Sequence, residues 1–534
     1  MTAKDLQIRE LKDIINDQKQ LISALNNALA SSNAQSEQLT AQIKILNEQL
    51  EFLKKKLFGT SSERRMSSNE DQISLFNEAE AFAGEDESLP SLEQTVKSHT
   101  RKPKKTLAEK ISGIPVEQVI CDLEGEKVCG QCNTDLIKIG QEVVRRELEY
   151  IPAKVKVLEY VSIHYGCPEC KQDETPYFEK APVPKALMKH SLASPSSVAW
   201  VMYQKYANGL PLYRQEKDWK MYGIELSRAT MANWVIYTAS HYMKPLYDYF
   251  HRLLLKREVL MADETRVQVL KEDGRNPETD SFMWLYRSGE DGQSPIILYK
   301  YTPTRAGYNA SEFLEGYKGY LMTDGYTGYN KLAGVKRCCC WAHVRRYFIE
   351  AVPKGHEYDL SKPSVQGVEF CTKLFKIEEE IRKKGVTPEQ RKVLRLQKEA
   401  PVLEAFWSWV SDQRPVRNSK FHKAIIYTLN RKPYLETYLE DGRCSISNNL
   451  TENSIRPFTI GRKGWLFCDT PAGAESSAIV YSMVEMAKAN GLNIYKYLNH
   501  VLKHQPSASM NDDQLDELSP WSKSVIQSCS AEMK

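Results

Sequence analysis

No apolar run in this chain of 534 residues is long enough to span a bilayer, and no segment has the make-up of a signal peptide. That excludes a helical membrane protein and sets the expectation of a cytoplasmic one. Charge of one sign is hardly in excess: 73 Lys and Arg against 69 Asp and Glu leave a net charge of +4. Bulk charge therefore carries no nucleic-acid signal, but its distribution does. Eight acids and no Lys or Arg lie between Glu70 and Glu93, followed by Lys97-Ser-His-Thr-Arg101-Lys-Pro-Lys-Lys105. With that acidic linker set aside, the remainder is distinctly basic. Twelve cysteines are few for a disulfide framework in a chain this long, and several stand at metal-ligand spacing, which suits a reducing compartment. Hydrophobic (41%) and charged (27%) content are those of an ordinary globular protein.

At this length one core does not suffice, so several folded units are expected. Residues 1–58 lack Pro and Gly and carry a heptad register running from Ile8 through Leu11, Ile15, Ile22, Leu25 and Leu29 to Leu39, Ile43, Leu46, Leu50, Leu53 and Leu57. This is a coiled-coil seam for a homodimer or a partner helix; a long amphipathic helix folded back on its own protein remains open. Residues 59–110 read as an acidic, then basic, linker with little to bury. Cys129-Gly-Gln-Cys132 and Cys167-Pro-Glu-Cys170 follow, separated by strand-like stretches at 142–150 and 155–164. Paired CxxC turns on a small β-scaffold give four thiolates tetrahedral access to one structural Zn²⁺, so 111–185 is expected to be a zinc ribbon, with Cys121 and His164 as substitute ligands.

Residues 186–255 read as helical. Helix, Tyr222-Gly-Ile224 turn and a second helix capped by Ser227 outline a helix-turn-helix in which Arg228, Thr230 and Asn233 reach DNA. The alternative is a plain helical hairpin with Trp219 and Trp234 in its core. From 259 the pattern changes to strands at 259–262, 282–286 and 296–301, a helix at 310–315, a strand at 320–323, and a fifth strand at 335–341 running into a helix. Three meandering strands, a helical crossover and a parallel strand make the ribonuclease-H-like order. Two aspartates close hydrophobic strands in this region, in Glu258-Val-Leu-Met-Ala-Asp263 and Gly319-Tyr-Leu-Met-Thr-Asp324. A glutamate follows far downstream in Asn448-Asn-Leu-Thr-Glu452-Asn-Ser-Ile-Arg456. Three carboxylates on rigid elements can hold two divalent ions for phosphodiester chemistry, and Mg²⁺ (or Mn²⁺) prefers such oxygen ligands. The fold order brings Asp263 beside Asp324, and a helical insertion must loop out and return for Glu452 to join them. Cys338-Cys-Cys340 reads as buried strand, not as a metal site.

The residues resemble the transposase of the insertion-sequence sixty-six family, bacterial DDE transposases, nearly end to end. The matching stretches are Leu57-Phe-Gly with Ser61-Ser-Glu63, the paired CxxC, Leu210-Pro-Leu-Tyr-Arg-Gln215, Ala262-Asp-Glu-Thr265, Thr323-Asp-Gly-Tyr326, Cys340-Trp-Ala-His-Val-Arg-Arg346, Ile455-Arg-Pro457, Gly461-Arg-Lys-Gly-Trp-Leu-Phe467 and Tyr481-Ser-Met-Val-Glu-Met-Ala-Lys488. The resemblance implies cleavage of element ends and transfer of the 3′-hydroxyl strand to target DNA. It implies Asp263, Asp324 and Glu452 as the metal-binding triad, with Glu475 and Glu485 as other candidates for the third acid. Arg456, Arg462 and Lys463 would hold phosphates, with His343, Arg345 and Arg346 in support; Trp465 either stacks on a base or packs in the core.

The expected fold class is thus multidomain α+β. It comprises a coiled coil, a zinc ribbon, a helical DNA-binding region, and a ribonuclease-H-like core in two parts (256–350 and 446–500) interrupted by a helical insertion (351–445). A tail follows at 501–534. Expected partners are element-end and target DNA, a second copy through the coiled coil, and accessory proteins of the same element, in a bacterial, nucleoid-associated setting. Two rivals stay open: a non-catalytic zinc-containing DNA-binding regulator, and a nuclease of the same fold without strand transfer.

Overall fold

The computed structural model of the chain describes residues 155–166 and 178–530. The expected coiled coil and linker, the strand-like stretch 142–150 and the cysteines Cys121, Cys129, Cys132, Cys167 and Cys170 lie outside the described residues. What is described is mixed helix and sheet. Strands β1 (His164–Gly166) and β2 (Phe178–Lys180) pair antiparallel. The strand expected at 155–164 is confined to its last residue: among the described residues 155–163 joins no ladder, and Val157 and Val161 are exposed.

Four helices follow: α1 (Pro195–Tyr206), α2 (Leu212–Met221), α3 (Arg228–Thr238) and α4 (Lys244–Leu254). Ser227 caps α3 as expected, its hydroxyl accepting from Thr230 N–H at 3.1 Å. Gly223, with φ +80°, makes the turn between α2 and α3 in a conformation that side chains resist. Trp219 and Trp234 are both buried, so the two tryptophans are core while the outline of helix, turn and capped helix is kept.

The main sheet has the order β5-β4-β3-β6-β7, with β8 (Phe467–Cys468) pairing to the far end of β3. Strands β3 (Val259–Val269), β4 (Asp280–Ser288) and β5 (Ile297–Thr302) meander antiparallel. Helix α5 (Gly307–Phe313) then carries the chain over to β6 (Tyr320–Thr323), which runs parallel to β3, and β7 (Lys336–Cys339) runs parallel to β6. The fifth strand is shorter than expected, because Cys340 caps α6 (Trp341–Glu350) and Trp341 already belongs to the helix. Helices α7 (Pro363–Lys383), α8 (Pro388–Lys398), α9 (Ala400–Asp412) and α10 (Lys420–Leu435) precede α11 (Asn449–Trp465). Helices α12 (Pro471–Ala489) and α13 (Ile494–His504) complete the part that bears on the site.

Strand alternation sorts the core. Leu260 and Ala262 pack in a cluster with α1, α3, α4, α12 and α13. Val259 and Met261 pack in a second cluster with α6, α7, α9 and α10. The sheet is therefore covered on both faces, which is what its near-continuous apolar parallel strands require. No helix among the described residues is long and apolar enough to cross a membrane.

Candidate active site

The register of the parallel strands decides which residues meet. Met261 pairs with Met322, and Thr323 with Cys339. Two residues beyond the first pair and one beyond the second, Asp263, Asp324 and Cys340 fall on neighbouring positions. Asp324 and Cys340 follow the ends of β6 and β7, whereas Asp263 lies inside β3, which was expected to end at 262 and runs on to Val269 through its pairing with β4. By strand alternation Asp263 shares its face with Val259 and Met261, the face on which α6 packs.

The returning chain is pinned at that same end. Ile446 O accepts from Trp341 N–H at 3.1 Å. The Asn448 side-chain amide donates to Ala262 O at 3.1 Å, and its backbone N–H donates to Cys340 Sγ at 3.1 Å. From the other side Arg287 Nη1 donates to Leu450 O at 3.0 Å and to Ser454 Oγ at 2.6 Å. These contacts fix the first turn of α11, where Glu452 lies buried. Its carboxylate has Arg346 Nη2 at 3.5 Å and His343 Nδ1 at 3.8 Å.

Burial, followed by the fields of Glu264, Asp324 and Glu452, holds the Asp263 carboxyl well above the ordinary range, with His343 opposing. The end of β6 and the first turn of α11 thus each bring an acid close enough to disfavour the charge on Asp263. Asp324 is fixed by a local turn, its Oδ1 accepting from Tyr326 N–H at 2.8 Å, while Arg337 Nη2 donates to Asp324 O and Tyr326 O, each at 2.8 Å. One Glu452 oxygen (Oε1) is buried without a hydrogen-bond donor, and carboxylate oxygens are the ligands that a hard divalent cation prefers.

Glu264, which the motif reading passed over, lies on the opposite face of β3. It is buried, accepts from Arg305 Nε at 2.8 Å and Nη2 at 2.6 Å, and from Tyr329 OH at 2.6 Å. Burial and then Asp324 push its carboxyl up to about 7, against the pull of Arg305. Arg305 stacks on Tyr326 with 4.1 Å to the ring centre, so this salt bridge braces the turn that holds Asp324. Its signal was the unusual acid pair Asp263-Glu264 inside a strand. Asn448 carried no comparable signal.

The other acids lie elsewhere. Glu475 is exposed on α12. Glu485, on the same helix, is buried, pushed up to about 7 by burial and offset by Lys488 and Arg287. Neither is among the groups acting on Asp263. The basic candidates divide. Arg228, Thr230 and Asn233 are exposed on α3, and Lys463 is exposed near the end of α11. Arg456 is half-buried one turn beyond Glu452. Arg346 turns toward Glu452, whereas Arg345 is buried with Nε donating to Thr372 Oγ1 at 3.3 Å, a packing position between α6 and α7. Arg462 Nη1 donates to Thr265 Oγ1 at 3.2 Å, tying α11 to β3. Trp465 packs edge-on against Phe458 at 5.5 Å between ring centres.

Comparison with known families matches residues 190–476 to the transposase IS66 family. Residues 126–171 match the zinc-finger binding domain of transposase IS66, 482–521 the IS66 C-terminal element, and 45–119 a family described as transposase C of IS166 homeodomain. Among relatives, the uncharacterized protein y4jD of Sinorhizobium fredii is 30% identical over 76% of this chain and 80% of its own length. The uncharacterized protein y4qI of the same organism is 29% identical over 87% of this chain and 86% of its own. With more than half its length under the first of these matches, the chain belongs to the IS66 transposase family.

Proposed function

We propose that the protein is a DDE transposase that cuts the DNA ends of its insertion element and transfers the freed 3′-hydroxyl strand to target DNA. What supports this reading most is the register that sets Asp263 beside Asp324 just beyond the parallel pairs of β3 and β6, with Glu452 among the acids acting on Asp263. The strand order, with three antiparallel strands and a helical crossover into a parallel pair, supports a ribonuclease-H-like core. The three carboxylates would hold divalent ions, Mg²⁺ or Mn²⁺, which activate the attacking oxygen and stabilise the leaving one. Asp263 and Asp324 hold their positions through the sheet, and Glu452 through the Asn448 contacts. Arg346 offsets the Glu452 charge and, with Arg456, presents cations to the scissile phosphate. Water attacks first and the 3′-hydroxyl second, each in line, with no covalent protein intermediate.

Around this core, Cys129, Cys132, Cys167 and Cys170 would hold a structural Zn²⁺ within the zinc-finger match. Residues 1–58 would pair two copies so that both element ends are gripped. The exposed face of α3 would lie on DNA, with Arg462 and Lys463 bordering the site. In that reading Arg228→Ala lowers the affinity for end DNA and reduces the slope of log affinity against log salt by about 1, as titrations at several salt concentrations would reveal.

The direct test is incubation of a labelled element-end duplex and target DNA with wild type and Asp324→Ala, in Mg²⁺ or Mn²⁺ and in EDTA. Metal-dependent nicks and joined product, both lost in the variant, are expected. Nicks without joined product would leave a nuclease, and equal binding without any cut in both proteins would leave a regulator.

A further inference from the structure

We propose that Cys340, His343 and Glu452 form a second metal site, for a thiophilic divalent ion such as Zn²⁺, that shares Glu452 with the carboxylate set. All three residues are buried, and one ligand atom from each lies within 4.8 Å of the other two. Zinc bonds of about 2.0–2.3 Å imply ligand separations of roughly 3.3–3.8 Å, so small side-chain rotations close the set. Its construction follows from the fold. Cys340 stands at the strand end beside Asp324 and caps α6, and His343, three residues on, shares that helix face. Glu452 is brought opposite by the Asn448 contacts. The Asn448 N–H, 3.1 Å from Cys340 Sγ, and the N-terminus of α6 both direct positive dipoles at the sulfur.

Ligand chemistry separates the two sets. Mg²⁺ takes oxygen, whereas a thiolate, an imidazole and a carboxylate match Zn²⁺, with a fourth position open to water or to Asp263. Binding releases the thiol proton to solvent. Zinc bound here turns the Glu452 carboxylate toward Cys340 and His343, away from the other two acids, and inhibits cleavage in competition with Mg²⁺. That consequence rests on the proposed role of Glu452, whereas the site itself does not.

The test is a titration with Co²⁺ of full-length protein that carries a single equivalent of Zn²⁺, for its four-cysteine site, with uptake read by thiolate-to-cobalt absorption. Wild type is expected to take up one further equivalent, lost in Cys340→Ser and His343→Gln and kept in Cys468→Ser, whose buried thiol lies on β8. Equal uptake by wild type and Cys340→Ser overturns the site. Should the variants fail to fold, X-ray absorption at the cobalt edge of wild type decides the matter. A single sulfur among nitrogen and oxygen neighbours supports the site, and oxygen and nitrogen alone overturn it. Cobalt binding at these residues together with zinc-insensitive cleavage would sustain the metal site and overturn the catalytic role of Glu452.

Discussion

Glu452→Gln is expected to lower the rate of element-end cleavage by at least about 10³-fold while leaving DNA affinity and fold intact. A carboxamide keeps the shape but removes the charge that ligates cations, forfeiting several kcal/mol of transition-state stabilisation, and about 1.4 kcal/mol is a factor of ten. Glu475→Gln and Glu485→Gln are expected to leave the rate unchanged, because neither residue acts on Asp263. Single-turnover nicking of a labelled duplex separates these outcomes, and a dead Glu485→Gln beside an active Glu452→Gln would displace the triad. Glu485 has a separate signature. Burial raises its carboxyl to about 7, so the folded state binds that proton more tightly than the unfolded chain does. Its contribution to stability is full below about 4.5 and lost as pH rises through about 7; Glu485→Gln should therefore flatten the pH dependence of unfolding across that window.

Arg395→Met is expected to destabilise the helical segment before α11 by about 3–5 kcal/mol, the range for removing one partner of a buried ion pair. Arg395 is fully buried. Its guanidinium pairs with Glu378 through Nε and Nη2, and donates to Tyr438 O at 2.9 Å, Asp441 O at 3.2 Å and Cys444 O at 2.9 Å. Methionine fills much of the volume but leaves three carbonyls and a carboxylate without those donors. Since the bonded carbonyls lie on the return toward Ile446 and Asn448, cleavage should fall along with stability. A lowered unfolding midpoint with unchanged m-value in urea, accompanied by slower cleavage at a temperature where the variant is folded, is the expected pair of results. An unchanged midpoint would show that the aromatic packing of α9 and α10 holds this segment without Arg395.

Asp324 was legible because an apolar run ending in Asp leaves few structures open, whereas Asp263 does not close its strand, which runs on to Val269. The order of strands and helix fixed which strands adjoin. The cap of α3 was legible for a similar reason, since Ser227 sits three residues before Thr230 with Gly223 just upstream. What escaped was tertiary. Nothing local to Asn448 shows that it will bind Ala262 and Cys340, and nothing in Cys338-Cys-Cys340 distinguishes two strand thiols from a third facing His343. Arg345 and Arg346 are neighbours of the same type, yet successive helix positions point about 100° apart. One is packed against α7 and the other meets Glu452. The strand expected at 155–164 begins only at His164 because alternation marks a surface that could be buried, without fixing which residues pair.

The spacing of the three acids along the chain has a consequence for timing. Asp324 follows Asp263 by 61 residues (324 − 263), and Glu452 follows Asp324 by another 128 (452 − 324). During synthesis the two strand acids can pair as soon as β6 has emerged, whereas the third is delivered only after α7–α10 have been made and the 438–448 segment has docked. If the proposed triad cuts DNA, a growing polypeptide would be unable to break a strand until that last segment has docked. On the proposed function, topology alone would place a delay between synthesis and cutting.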